Sequence, residues 1–129
     1  MREIHTHKVN GMNEAIGITV MDDPGQGNAC HEYLITVPIP PKDLPDTLVD
    51  RGGYPIHFQN GAIGKVGVNG ISDEALLAVV RDRLEGFQSG EYACDTNQSA
   101  LDSICASMDA LHSRTKERME CRVEGTHKV

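Results

Sequence analysis

The chain has 129 residues and a mass of 14.0 kDa, which suits one domain or a small domain with an appendage. A hydrophobic share of 39% beside 24% charged residues excludes a disordered or collagen-like chain. No apolar run approaches the roughly 18 residues of a membrane span, and a net charge of −7 argues against a binder of DNA or RNA duplexes, which needs a basic footprint to release counterions.

The start, Met1-Arg2-Glu3-Ile4-His5, lacks the basic and apolar regions of a secretory leader, so a soluble protein that stays where it is made is expected. Ile4–Val9 and Ile16–Val20 predict two short strands, with a turn at Asn10-Gly11 and Asn13 between them. Asp22 to Asn28 is a breaker. Cys30–Val37 alternates, with Tyr33, Ile35 and Val37 on one face. Pro38 to Gly53 reads as a proline-rich loop. Ile56–Gln59, then Asn60-Gly61, then Ile63–Val68 predict a β-hairpin, because Asn-Gly supplies the positive φ angles of a two-residue turn.

From residue 71 the period changes. Ser72 caps a helix whose first turn holds Asp73 and Glu74 and whose apolar face holds Leu76, Val79, Val80, Leu84 and Phe87. Ser89-Gly90 ends it. Asp95 starts a second helix, with Gln98 completing a capping box. Leu101, Ile104, Met108, Leu111 and Thr115 form its packing seam. The whole is α+β: a β-rich part over 1–70 with an N-terminal antiparallel β-sheet of four or five strands, then a C-terminal helical hairpin with a short tail over 71–129, in one compact domain.

Chemistry is sparse. There is no GxSxG, HExxH, Walker or dinucleotide motif. The acidic pairs Asp22-Asp23 and Asp73-Glu74 sit where turns and helix starts favour carboxylates. Of the four cysteines, none forms a CxxC pair, so reduced thiols are expected, with Cys94 and Cys105 as small buried hydrophobes. His5, His7, Cys30 and His31 lack the paired spacing of a zinc site. Neither a catalytic residue nor a metal nor a cofactor is expected.

The charge is uneven: residues 71–111 hold Arg81 and Arg83 against 8 acidic side chains, whereas 112–129 hold 5 basic against 3. Within that basic end Arg114 and Arg118 are four apart and share a helix face. Cations favour a helix C-terminus without any ligand, and two guanidinium forks also suit a diphosphate. Phe87 is either core or a platform for a base, and Asn97 either a helix-start residue or a reader of a base edge. Seventeen residues separate Asn97 from Arg114, about 25 Å on a continuous helix. One small ligand therefore meets both only if two antiparallel copies share it, in two equivalent sites.

Phe58-Gln59-Asn60-Gly61-Ala62-Ile63, Gly67-Val68-Asn69-Gly70, Glu74-Ala75-Leu76-Leu77, Asp82-Arg83-Leu84, Phe87-Gln88, Arg114-Thr115 and Val123-Glu124-Gly125-Thr126-His127 together resemble the Thoeris anti-defence protein 1 family of phages. The helical half is also similar to the hairpin of a phage anti-CBASS sponge that traps cyclic oligonucleotides. The sequence departs from the family pattern at Ala62, Lys65 and Cys121. The resemblance implies a β-rich part with a helical hairpin, assembled as a homodimer or as a hexamer built as a trimer of dimers. It implies tight binding of glycocyclic ADP-ribose without cleavage, in the cytoplasm of the infected bacterial host, and in some members uptake of cyclic di- and trinucleotides at a separate site. It also implies roles: Phe87 stacks the base, Asn97 contacts the ligand, and Arg114 and Arg118 of a partner chain meet the phosphates. Two alternatives stand beside this sponge: a phosphodiesterase acting on the same messengers, and a module that binds a host protein through the acidic face of 71–111.

Overall fold

The computed structural model describes residues 1–38 and 53–120, apart from the side chains of Gln26 and of residues 116–120. The proline-rich connection and the C-terminal tail with Cys121 lie outside the described residues. The backbone falls into two compact units, Met1–Asn60 and Gly61–Val129. The fold is α+β, an antiparallel sheet followed by a helical hairpin.

Strands β1 (Arg2–Ile4), β2 (Gly17–Val20), β3 (Glu32–Thr36) and β4 (Gly53–His57) make one four-stranded antiparallel sheet in the order β1-β2-β3-β4. The register sets Ile4 opposite Ile18, Ile18 opposite Ile35, Val20 opposite Tyr33 and Ile35 opposite Tyr54. Paired residues share a face and side chains alternate along a strand, so Ile4, Ile18, Val20, Tyr33, Ile35, Tyr54 and Ile56 lie on one side. Val20 is fully buried there. Tyr33 meets Phe58 edge-on, with ring centroids 5.6 Å apart. Pro55 is accommodated because β4 has a strand neighbour on one side only.

The breaker between β2 and β3 is closed by Asp22. Its carboxylate accepts the backbone N–H groups of His31 (2.9 Å) and Glu32 (3.1 Å), and its carbonyl accepts the buried Cys30 thiol at 3.5 Å. Gly27 (φ 74°) and Asn28 (φ 65°) both take the left-handed conformation that this reversal needs. Hydrogen bonding to the charged form, led by the His31 N–H, holds the Asp22 carboxyl below its ordinary range.

Two predicted turns are built differently. Asn10-Gly11 opens a short helix, α1 (Gly11–Ala15), because the Asn10 side chain accepts from Asn13 N–H at 2.9 Å and so caps it. The first strand ends at Ile4 rather than Val9, since Lys8 and Val9 donate locally to the His5 and His7 carbonyls. The hairpin over 56–68 is absent. Gly61 has positive φ (98°) but Asn60 does not, and a type I′ turn needs both. Ile63–Val66 instead forms one helical turn, α2, ended by Gly67 at φ 73°.

In the second unit α3 (Asp73–Gln88) starts at Ser72, whose hydroxyl accepts from Ala75 N–H at 3.1 Å. It ends at Ser89, whose N–H donates to Glu85 and Gly86 carbonyls. The second long helix, α4 (Asp95–Glu120), is unbroken over 26 residues. Its seam packs as the spacing predicts: Met108 is buried, and Leu101, Ile104, Leu111 and Thr115 are half-buried. The apolar face of α3 differs. Leu76, Val79, Val80 and Phe87 all remain exposed, Val79 to 60%. The half-buried stripe of α3 runs instead through Glu74, Leu77, Arg81, Leu84 and Gln88, so the predicted face shares only Leu84 with it and lies about a quarter turn away.

Replacing Asp22 by Asn is expected to lower the melting temperature at neutral pH. A depressed carboxyl contributes stability in full above the ordinary value of 3.8 and loses it as pH falls through the lower folded value. The native chain should therefore lose stability on acidification more steeply than Asp22→Asn. Thermal melts of both from neutral to strongly acidic pH give the comparison.

Candidate functional site

All four predicted binding residues sit on two successive helices, and the tip of the hairpin joins two of them. Phe87 is in the last turn of α3 and is 39% exposed. The Arg83 guanidinium, one turn earlier, lies 5.6 Å from its ring centroid, within range of a cation–π contact. Tyr92, from the connecting turn, meets the same ring at 6.4 Å with the planes at 89°. The Phe87 ring is thus held on both counts without being covered, as a base-stacking platform requires.

The turn between the helices is organised by side-chain amides. Gln88 accepts the Cys94 N–H at 3.0 Å and donates to the Cys94 carbonyl at 3.1 Å, holding one residue by both of its backbone groups. The same Gln88 amide donates to Gln98 Oε1 (3.2 Å), and Gln98 donates onward to Asp102 (2.9 Å). Asn97, half-buried in the first turn of α4, donates its side-chain amide to the Tyr92 carbonyl at 3.2 Å. Through Tyr92, whose ring touches Phe87 and whose carbonyl holds Asn97, the two expected ligand residues belong to one cluster.

The start of α4 departs from expectation. The cap is Cys94, whose sulfur accepts Asn97 N–H at 3.4 Å and whose carbonyl accepts Gln98 N–H at 3.0 Å. Gln98 reaches Gln88 and Asp102 rather than folding back on a capping box at Asp95. Cys94 is exposed and Cys105 half-buried, so neither thiol is the buried hydrophobe expected of it. The helix start needs the sulfur as an acceptor, which keeps Cys94 at the surface.

Arg114 is exposed near the other end of α4. Arg118 follows one turn on along the helical backbone, and its side chain is outside the described residues. The unbroken helix keeps Asn97 and Arg114 about 25 Å apart at 1.5 Å per residue. The structure therefore brings together Phe87 and Asn97 and holds Arg114 away from both within one chain.

The histidines and cysteine weighed as metal ligands are engaged in the sheet unit. His7 Nε2 donates to the Ile16 carbonyl at 2.7 Å, and Cys30 and His31 contact Asp22. Among the described residues no three His, Cys, Asp or Glu side chains gather as a metal would need. No helix there is long and apolar enough to cross a membrane.

Sequence reasoning missed Arg83, Gln88 and Tyr92. The Arg83–Phe87 pair was detectable in principle, since residues four apart meet on a helix. Gln88 and Tyr92 carried no such signal, because their partners lie across a turn of irregular backbone.

Comparison with known proteins adds one similarity. The chain is 39% identical over 72 residues to "Thoeris anti-defense 1" of Bacillus phage SBSphiJ7. The match covers 56% of this chain and 51% of the phage protein, so the chain spans about half the length of that relative. No protein-family model matches the chain. This similarity supports the resemblance read from the sequence motifs.

The Gln88 grip gives a direct test of the tip. Gln88→Ala removes three hydrogen bonds and is expected to cost about 1–2 kcal/mol in urea unfolding, less than three full bonds because the tip is exposed. Gln88→Glu keeps the acceptor for Cys94 N–H and should lose only part of this.

Proposed function

We propose that this chain is a phage anti-defence sponge that binds nucleotide immune messengers, foremost glycocyclic ADP-ribose, and sequesters them without cleavage. The observation that carries this reading is the Phe87 ring: an aromatic at the end of an apolar face, braced by Arg83 and Tyr92 yet 39% exposed, in a relative of an anti-defence protein. A braced, open ring at a helix-hairpin tip favours a stacking ligand over a core role.

In this reading Phe87 stacks the base and Asn97 contacts the same ligand. Arg114 and Arg118 close on the diphosphate from a second copy whose α4 runs antiparallel, because about 25 Å of rigid helix separates them from Asn97 in their own chain. The exposed Leu76, Val79 and Val80 favour such an assembly, a homodimer or hexamer, since it removes apolar area from water. A sponge must hold its messenger below the effector's threshold, which asks for a nanomolar dissociation constant, about −12 kcal/mol. Stacking and charge-assisted hydrogen bonds on helix ends can supply it with little ordering cost. The place of action is the cytoplasm of the infected host. Cyclic di- and trinucleotides are further candidate cargo at a separate site.

Incubation with glycocyclic ADP-ribose followed by heat denaturation tests the reading. Release of intact messenger is the expected outcome; a cleaved product would favour the phosphodiesterase, and no rise in melting temperature would favour the host-protein module. Arg114→Ala combined with Arg118→Ala should abolish binding in calorimetry and leave the oligomer intact. Phe87→Ala should weaken it by about 1–3 kcal/mol.

A further inference from the structure

Each helix of the hairpin carries a second stripe, one place before the packed one. On α3 the half-buried Leu77, Arg81, Leu84 and Gln88 are preceded by Leu76, Val80, Arg83 and Phe87. On α4 the packed Leu101, Ile104, Met108 and Leu111 are preceded by Ala100, Ser103, Ser107 and Ala110. All eight preceding residues are exposed. One residue is about 100° of helical rotation. The packed helices run in opposite directions, so stepping back one residue on each turns both stripes to the same side of the hairpin. Together they make one surface, about 24 Å long and about 20 Å wide. Among those eight residues the only charge is Arg83, and its guanidinium is turned onto the Phe87 ring, 5.6 Å from the centroid. Asp102 and Asp109 fall one place after Leu101 and Met108, on the opposite side. The Ser107 hydroxyl already donates to the Ser103 carbonyl at 3.0 Å, so covering it leaves no unmet donor.

We infer that a second copy of the chain docks on this surface, antiparallel, as a four-helix bundle, and that this docking completes the nucleotide site. The inference rests on the shared-site reading given above. Among the described residues no other helix exceeds five residues, so the chain offers no third helix to stripes of this length. The surface is on the scale of the roughly 800 Å² per partner that a stable pair buries.

A twofold axis also brings the right groups together. Gln88 and Gln98 are level, because their amides bond at 3.2 Å. The middle of the α3 stripe, between Arg81 and Asp82, is therefore level with Ile104 and Cys105 on α4. Arg114 lies as far beyond that level as Asp95 lies before it. A twofold axis there sets the partner's Arg114 level with the start of α4, about 3 Å along the helix from Asn97. Arg114 precedes the half-buried Thr115 and so continues the α4 stripe, on the side that meets the second copy. Phe87 closes the α3 stripe at the same end.

Native mass spectrometry and calorimetry with glycocyclic ADP-ribose on the full chain compare four substitutions by glutamate. Val80→Glu and Ser103→Glu place a charge on the surface, whereas Ala78→Glu and Ala106→Glu place the same charge at exposed positions elsewhere on the same helices. The wild type and the latter two are expected to form even-numbered assemblies and to bind. The former two should weaken association at least about tenfold and lose binding, because docking would bury an unpaired charge. Val79→Ala combined with Val80→Ala raises helix propensity, which preserves the hairpin, and should weaken association as well. Even-numbered assemblies that persist unchanged in Val80→Glu, Ser103→Glu and the double alanine variant overturn the docking surface, and so does equal weakening by all four glutamates. A wild type that runs as a single chain overturns the docking and the shared site together. A paired wild type that binds no messenger overturns the sponge and leaves the interface standing. Dissociated variants that bind as tightly as the wild type overturn the shared site alone.

Discussion

A helix advances 1.5 Å per residue and cannot be shortened without breaking its hydrogen bonds, and α4 runs unbroken from Asp95 to Glu120. Everything proposed for this protein depends on that rigidity. It fixes Asn97 at one end and Arg114 near the other, and a molecule of nucleotide size cannot bridge the gap. Either the arginines serve only the helix dipole, or the site takes one end of α4 from each of two copies. Symmetry then makes the sites equivalent and paired.

The packing of the second unit favours the second outcome. Two helices in contact bury one stripe each, and the stripe on α4 is well matched, with Met108 at its centre. The half-buried stripe of α3 runs through Leu77, Arg81, Leu84 and Gln88, and Leu76, Val79, Val80 and Phe87 on the neighbouring face are left open. Hydrophobic burial drives both folding and association, so the residue pattern that makes α3 amphipathic also leaves it with surface to cover. Phe87 lies at the margin of that face, where an exposed ring can serve a ligand instead of a core.

The tip of the hairpin shows how polar side chains substitute for regular structure. A turn of irregular backbone leaves N–H and carbonyl groups without ladder partners. Gln88, Cys94 and Asn97 supply those partners.

The sequence by itself determined the elements whose signals are local. The caps at Ser72 and Ser89, the α4 seam through Met108, the breaker from Asp22 to Asn28 and the common face of Tyr33 and Ile35 all follow from periodicity or from one side chain bonding a nearby backbone group. The Phe87-Gln88 and Arg114-Thr115 motifs were likewise legible as a family likeness. Tertiary structure alone decided the rest. Asn60-Gly61 has the composition of a hairpin turn, but its φ angles are set by what the chain does next, and α2 follows. Asn10 could open a turn or cap a helix, and the bond to Asn13 chose the helix. Tyr92 and Gln88 acquired roles only when the turn brought residues five to ten apart into contact, because an irregular backbone carries no period from which such contacts can be read.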